Sequence, residues 1–251
     1  MTSKQRVLAA VIHTIADRTP ITFDAEGEVF DALYKHFGHR SREQLFDALH
    51  CDTWMVLPKN YIMPVSEKGK NDRTTIWGWS STIVKYPGGQ YSELSHSPLA
   101  GKDELADIDK HPWPDVGAHD YSDFAANMQA HQDRAIIAAS SWGTYFIASF
   151  LRGMEGLFMD FAANPAYVEK LFAAITQRVL AMLDNLLEHH SQGVDIIYMA
   201  DDYCSQLGPL FSPELFKKYV MPYLKQVVDR AHRYDKKFLL HVCGAVRPLL
   251  P

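Results

Sequence analysis

Residues 194–242, VDIIYMADDYCSQLGPLFSPELFKKYVMPYLKQVVDRAHRYDKKFLLHV, contain the pattern that decides the fold. Val194–Ala200 and Lys237–Val242 are short apolar runs, typical of buried strands. Between them, Pro213–Tyr234 has helical apolar spacing, and Ser212 precedes it as an N-cap. Two buried strands joined by a helix of this length predict a βαβ unit in a parallel sheet.

The same alternation of helix and strand extends toward the N-terminus. Apolar spacing predicts helices over Arg6–Asp17, Glu28–Phe37, Ser41–Leu49, Asp103–Asp109, Tyr121–Asp133, Tyr145–Phe161 and Pro165–Ser191. It predicts further strands over Thr19–Ala25, Cys51–Leu57 and Arg134–Ser141. In Asp72–Glu93 the residue pattern changes to short runs of Trp, Thr, Ile and Val around Pro87-Gly88-Gly89. This pattern predicts an antiparallel excursion outside the main sheet.

These elements predict an α/β fold, with a TIM-type (β/α)8 barrel as the leading architecture. About five core strands are found where a closed barrel needs eight. We therefore expect residues 1–251 to form a single, truncated barrel domain without its last strands and helices, and with a β-hairpin excursion at about 72–93. A doubly wound sheet is the alternative, but no Gly-rich dinucleotide fingerprint or Walker loop follows any strand.

Composition is that of an ordinary globular protein, 47% hydrophobic and 22% charged. The net charge is −5, with no block of like charge, so neither nucleic acid nor a membrane is an expected partner. Three scattered cysteines do not suggest a disulfide framework, and no signal peptide or membrane helix is recognised. A cytoplasmic protein that acts on a small molecule is the expectation, and its oligomeric state is left open.

His241-Val242-Cys243-Gly244 lies at the C-terminal end of the last predicted strand. Side chains two apart on a strand point to the same face, so the imidazole and the thiol are expected to converge. His and Cys are zinc ligands, and the pair can fill two positions of a tetrahedral site. The alternative is a buried cysteine beside a hydrogen-bonded histidine.

Carboxylates also lie near strand ends. Asp201 and Asp202 follow Val194–Ala200, where the C-terminal face of a barrel builds its site, and helix capping is the alternative. Cys204 is a weak candidate for a third metal ligand and is more typical of a small buried residue. Asp52, which precedes or opens its apolar strand, is a further catalytic candidate. Trp77 and Trp79 are candidates for covering a planar ligand or cofactor, unless they only pack the hairpin.

Several of these segments together resemble the uroporphyrinogen decarboxylase superfamily. They are Asp17-Arg18-Thr19-Pro20, Trp77-Gly78-Trp79, Asp201-Asp202, Ser212-Pro213-Glu214-Leu215-Phe216 and Pro222-Tyr223. Lys237–Gly244 (KFLLHVCG) resembles the corresponding strand of the corrinoid-dependent methyltransferase branch. The resemblance runs from about residue 6 to 251 and is most specific from Asp195 onward.

The resemblance implies a TIM barrel with its site at the C-terminal ends of the strands. In the methyltransferase branch, the His and Cys of the H-x-C motif bind zinc together with a later cysteine, which here would lie beyond Pro251. By position, His241 and Cys243 take the metal role. The zinc there activates a thiol that accepts a methyl group from a methylated corrinoid protein, so such a protein is a possible partner.

Three hypotheses follow. The preferred one is a zinc-dependent methyltransferase in which Asp201 or Asp202 orients a ligand. The second is a metal-free uroporphyrinogen decarboxylase of porphyrin biosynthesis, with Asp52 stabilising protonated pyrrole intermediates; the arginine-containing segment of that branch is missing after Phe23-Asp24-Ala25-Glu26-Gly27. The third is a non-catalytic barrel fragment or corrinoid-binding scaffold.

Overall fold

The computed structural model describes residues 1–61 and 72–250. Its helices are α1 Ser3–Val11, α2 Gly27–Phe37, α3 Arg42–Ala48, α4 Leu105–Lys110, α5 Phe124–Ala130, α6 Thr144–Arg152, α7 Met154–Ala163, α8 Pro165–His190, α9 Pro213–Leu215 and α10 Met221–Arg233. Its strands are β1 Thr53–Val56, β2 Asp72–Thr74, β3 Ser80–Tyr86, β4 Gly89–His96, β5 Ala135–Ala139, β6 Ile196–Ala200 and β7 Lys237–His241. A π-helical turn, Phe216–Val220, joins α9 to α10. Within this described part of the chain, no helix is both long and apolar enough to cross a bilayer.

One parallel sheet organises the molecule, with strand order β1-β5-β6-β7. Helices α6, α7 and α8 lead from β5 to β6, and α9 and α10 lead from β6 to β7. The α/β class and the parallel sheet predicted from the sequence are therefore confirmed. Among the described residues the sheet has two open edges, β1 and β7, so closure into a barrel stays a prediction.

The sheet is covered on both faces, which explains why β5 is buried along its whole length. On one face, Ile137 packs with Val7 of α1 and Ile196 of β6. On the other, Ile136 and Ala138 belong to the main core. Helix α8 supplies much of that core from one apolar stripe, in which buried residues recur every three or four positions.

Asp72–His96 forms a separate antiparallel sheet with strand order β2-β3-β4. The β3–β4 turn passes through Pro87 and Gly88. The side chains of Trp77 and Trp79, from the β2–β3 connection, are buried in the main core. The β2–β3 connection therefore attaches the antiparallel sheet to the main core through these two side chains.

The segment Thr19–Ala25, predicted as a strand, is not one. The backbone of Ile21 accepts a hydrogen bond from the Asp52 N–H at 2.7 Å. Its own N–H donates to the Asp52 carboxylate at 2.8 Å. Because Pro20 has no N–H and that of Ile21 is used by a side chain, the segment has no run of free donors for a strand ladder.

Two other predictions need correction. The single helix predicted over Tyr145–Phe161 is broken at Gly153, whose φ of 81° interrupts the helical backbone between α6 and α7. The last strand, predicted as buried, is an edge strand in the described structure, and Lys237, Leu239 and His241 are exposed on it. Its alternating burial shows that only one face is covered.

Candidate metal centre

The ends of β6 and β7 bring three ligand-type side chains together. Ala200 and His241 are partners in the parallel register, so the residues that follow each strand emerge side by side. His241 Nε2 lies 3.3 Å from Cys243 Sγ and 4.0 Å from Asp202 Oδ1. One ligand atom from each of the three residues falls within 4.8 Å of the others.

This spacing fits a single divalent ion of zinc's size. With Zn–S of about 2.3 Å and Zn–N or Zn–O of about 2.1 Å, a tetrahedral site places its ligand atoms about 3.4–3.6 Å apart. The separations from His241 Nε2 to its two neighbours are within about half an ångström of that range. His241 and Cys243 are exposed and Asp202 is partly exposed, so ligands can reach the cluster from solvent.

Asp202 also fixes the backbone of the cluster and shapes its electrostatics. Its Oδ1 accepts the Cys243 N–H at 2.9 Å. Partial burial raises the pKa of the Cys243 thiol, and the Asp202 carboxylate raises that pKa further. The thiol is therefore held in its protonated form by its protein surroundings, and a cation at the site is the partner that would favour the thiolate.

Gly244 lets the chain after Cys243 approach a neighbouring loop closely. Its φ is 86°, and a Cβ at this position would lie 2.3 Å from the carbonyl oxygen of Ser205. The same carbonyl accepts the N–H of Ala245 at 2.9 Å. A residue with a side chain cannot make this approach without displacing backbone, so glycine determines where Cys243 sits.

Cys204, the weak candidate for a third ligand, lies outside the cluster. It is buried and forms an isolated antiparallel bridge with Pro209. Burial is also the main reason that the pKa of its thiol is raised. Among the described residues, Asp202 instead of Cys204 accompanies His241 and Cys243.

Asp201 points to a different partner from Asp202. Helix α6 begins after Gly143, which has no side chain to cap it, and the Asp201 carboxylate accepts the N–H groups of Tyr145 at 3.3 Å and Phe146 at 2.6 Å. The Tyr203 hydroxyl donates to it at 2.8 Å. Asp201 is therefore a cap for α6, supplied from the end of β6. The helix capping that was the alternative for Asp201 is thus observed, and a catalytic or ligand-orienting role stays a prediction.

The protein environment makes Asp201 a weak acid. Complete burial raises the pKa of its carboxyl to about 7, although the hydrogen bonds from Tyr203 and the α6 backbone act in the opposite direction. The negative charge of Asp202 adds to the increase. Asp201 is therefore partly protonated at neutral pH while it caps the helix.

Asp52 lies at the opposite end of the sheet from the cluster. It precedes β1, and in a parallel sheet the start of one strand is at the edge where all strands start. Arg6 Nη1 donates to Oδ1 at 2.6 Å, and Arg18 donates to both oxygens at 2.7 and 2.9 Å. The side chain is fully buried. Burial would raise the pKa of Asp52, but the Ile21 N–H and the two arginines more than offset it, so the pKa is lowered.

This environment explains Asp52 as a structural residue. Its carboxylate joins α1, the Arg18 segment and the start of β1 by charge-assisted hydrogen bonds. With its acceptor positions occupied and no exposed surface, it is not available to a substrate. A catalytic role for Asp52 stays a prediction, which these contacts do not support.

A profile of the uroporphyrinogen decarboxylase family, URO-D, matches residues 84–251, about two thirds of the chain. The chain belongs to this family. The matched region contains β5, β6, β7 and all three residues of the cluster. No curated protein sequence matches this URO-D family chain significantly.

Among solved structures, the fold of this URO-D chain is similar to that of a methyltransferase from Methanosarcina mazei. The TM-score is 0.64, with 18% sequence identity over 99% of this chain and 72% of the other. At this identity the similarity concerns the fold.

Trp77 and Trp79, the candidates for ligand binding, are both buried in this URO-D chain. Trp77 packs edge-on against Trp113 at 6.4 Å, and its carbonyl contacts the His111 ring nitrogen at 3.0 Å. Trp79 packs near Phe150 at 5.3 Å and borders a cavity. Trp77 packs in the core and Trp79 has a cavity beside it, and a ligand-binding role for either residue stays a prediction.

The sequence reasoning missed two features. One is the pairing of Arg6 and Arg18 with Asp52, which joins residues far apart in the chain and has no local signal. The other is an aromatic wall of Trp142, Phe146 and Phe150 at the start of α6. Its signal was present, because aromatic residues four apart on a helix lie on one face.

Proposed function

We propose that this URO-D family chain is a zinc-dependent methyltransferase, which moves a methyl group from a corrinoid carried by a partner protein to a thiol or a similar acceptor. The observation that carries the proposal is the convergence of His241, Cys243 and Asp202 at the ends of β6 and β7. Membership of the URO-D family and the likeness in fold to a methyltransferase support it.

The donor set suits zinc by its chemistry. His241 and Cys243 would hold the ion by nitrogen and sulfur, which zinc favours, and Asp202 is placed to add an oxygen ligand. Zinc held there supplies Lewis acidity, which lowers the pKa of an acceptor thiol and so makes it a nucleophile. The resemblance implies a later cysteine as a further ligand, and the closeness of Asp202 to His241 and Cys243 supports it as a third one among the described residues.

The chain's own residues position these groups. Asp202 accepts the Cys243 N–H and so orients the loop that carries the thiol. The close approach of Gly244 to Ser205 fixes the other end of that loop. The His241 side chain is 48% exposed, so a bulky methyl donor on another protein can approach without a prior opening of the fold.

The decarboxylase hypothesis has less support. It assigned catalysis to Asp52, which is buried, paired with two arginines and located at the other end of the sheet. The match to the uroporphyrinogen decarboxylase family model is compatible with either reaction, because the family includes the methyltransferase branch that the sequence resembles.

Metal content tests the proposal. The purified chain, dialysed after growth with zinc, should retain about one zinc per chain by inductively coupled plasma mass spectrometry. His241→Ala and Cys243→Ala should lower zinc affinity by roughly 100-fold or more, since even residues behind metal ligands contribute 10–100-fold. Replacement of zinc by cobalt(II) should give a thiolate charge-transfer band that Cys243→Ala lacks.

His189→Ala and Cys204→Ala are matched controls, because they remove the same residue types outside the cluster. Both should keep the metal. Demethylation of free methylcobalamin by a simple alkyl thiol, followed by visible absorption, then tests the reaction. A chain that holds no zinc, or that loses it equally in controls and cluster variants, would contradict the proposal.

A further inference from the structure

A separate cavity of about 190 Å³ lies between the antiparallel sheet and the start of α6. Its walls include Tyr61, Trp79 and Trp142, together with Phe146 and Phe150 of α6. The residues of the metal cluster do not line it. It is therefore a different site from the one described above.

The walls of the cavity are flat. The ring of Trp142 stacks on Tyr61 at 5.3 Å and on Phe146 at 4.6 Å, and Phe146 stacks on Phe150 at 4.4 Å. The ring of Trp79 lies 5.3 Å from that of Phe150, at a tilt of 53°. Surfaces made of aromatic rings favour a planar ring as their occupant, in stacked or edge-to-face contact.

Two hydrogen-bonding groups at this cavity have no partner among the described residues. They are Trp79 Nε1 and Ser81 Oγ. Both residues are 1% exposed, and both line the cavity. A buried polar group without a partner is costly, and an indole N–H can only donate. These two atoms therefore need an acceptor that the described residues do not supply.

The charge of the lining defines the ligand further. Among the described residues, no Lys, Arg, His, Asp or Glu lines the cavity. A charged group buried there would be unpaired, which strongly disfavours ionic ligands. The size is that of one ring, because a cavity of about 150 Å³ in another protein accepts benzene.

We propose that this cavity binds one small, neutral, planar ring whose carbonyl or ether oxygen accepts hydrogen bonds from Trp79 Nε1 and Ser81 Oγ. The proposal does not depend on zinc or on methyl transfer. It assigns Trp79 a binding role through its N–H as well as its ring.

Acetophenone is a suitable probe, because it is a neutral single ring with one carbonyl acceptor. Calorimetric titration should show saturable binding with one molecule per chain. Ethylbenzene, which keeps the ring and the two side-chain carbons but has no acceptor, should bind at least about fivefold more weakly, as expected for the loss of the hydrogen bonds from Trp79 Nε1 and Ser81 Oγ. Benzoate should not bind. In ¹H–¹⁵N spectra, the indole N–H signal of Trp79 should move downfield with acetophenone.

Trp79→Phe keeps a ring but removes one of the two donors, and should reduce the preference for acetophenone over ethylbenzene to the part that Ser81 Oγ contributes. Ser81→Ala should reduce it in part. Trp113→Phe is the matched control, because Trp113 Nε1 donates to the Ile108 carbonyl outside the cavity. Circular dichroism and thermal melting establish that each variant is folded.

Absence of saturable acetophenone binding would overturn the proposal. So would equal affinity for acetophenone and ethylbenzene, or an unmoved Trp79 indole signal at saturation. If Trp79→Phe does not fold, the indole signal and Ser81→Ala still decide the question.

Discussion

At the scale of single residues, the Asp201 carboxylate caps helix α6 and also makes the stability of the folded chain depend on pH. Its pKa is about 7 in the folded protein because it is buried, against about 4 in an unfolded chain. Between these values the folded state binds a proton that the unfolded state does not. The contribution of Asp201 to the free energy of unfolding is thus largest below about pH 4 and decreases as the pH rises toward 7.

We predict that Asp201→Asn lowers the free energy of unfolding by about 1–3 kcal/mol at acidic pH, because the amide nitrogen faces backbone donors of α6. The asparagine does not titrate. The difference in stability between the native chain and Asp201→Asn should therefore narrow as the pH rises from about 4.5 to about 7.5. Urea unfolding across this range measures the difference.

Tyr203→Phe provides a second variant for the same prediction. It removes a hydrogen bond that favours the ionised carboxylate, so the pKa of Asp201 should increase and the loss of stability should extend to higher pH. Curves for the native chain and Asp201→Asn that stay parallel across the range would show that Asp201 does not titrate as described.

At the scale of elements, the loop after β7 depends on Gly244. We predict that Gly244→Ala lowers the free energy of unfolding by about 1–3 kcal/mol, because a left-handed residue gains a Cβ that meets the Ser205 backbone. The displaced loop should also weaken zinc binding and change the rate at which the exposed Cys243 thiol reacts with a disulfide reagent. Thermal melting and thiol titration measure these effects.

Gly88→Ala is the control for that variant. Gly88 also has a positive φ, of 103°, but a Cβ there meets nothing within 4 Å. Gly88→Ala should lower the free energy of unfolding and leave the reactivity of the Cys243 thiol unchanged. Equal Cys243 reactivity in Gly244→Ala and the native chain would show that the close approach does not position the thiol.

The elements were predictable to the extent that their signals are local. Ser41 and Ser212 accept hydrogen bonds as N-caps, as their positions before apolar periodic segments predict. The convergence of His241 and Cys243 followed from the period of a strand. The interruption at Gly153 did not follow, because an isolated glycine in an apolar helical pattern is often tolerated.

At the scale of the whole molecule, the sequence did not reveal what the residues that flank the strands contact. Asp52 comes before its apolar run and Asp202 after its own, as the sequence shows, but only the folded chain pairs Asp52 with two arginines and brings Asp202 to His241 and Cys243. The arginine partners of Asp52 are 34 and 46 positions away in sequence. Such long-range pairs are set by tertiary structure and leave no periodic pattern in one sequence.

The exposed edge strand β7 bears on whether the chain associates with itself in solution. In the described structure, β7 is paired on one side with β6, and its Leu239 side chain is 41% exposed. Next to it is an apolar cavity bordered by Leu240, Val242 and Leu249. A free strand edge beside apolar surface is a template for pairing with another chain. The hypothesis of a non-catalytic fragment or scaffold relies on this exposed apolar edge.

We therefore predict that the chain self-associates as its concentration rises, and that Leu239→Lys reduces the association several-fold, since a lysine on an edge strand opposes pairing. Ile15→Lys is the matched control, because Ile15 is 93% exposed and lies outside any strand. Light scattering coupled to size-exclusion chromatography over a range of concentrations distinguishes the variants. If both lysine variants reduce association equally, net charge is responsible and the β7 edge is not the contact. A native chain that stays monomeric throughout would show that this edge is protected in solution, and would leave the zinc measurements to decide between the enzyme and the scaffold.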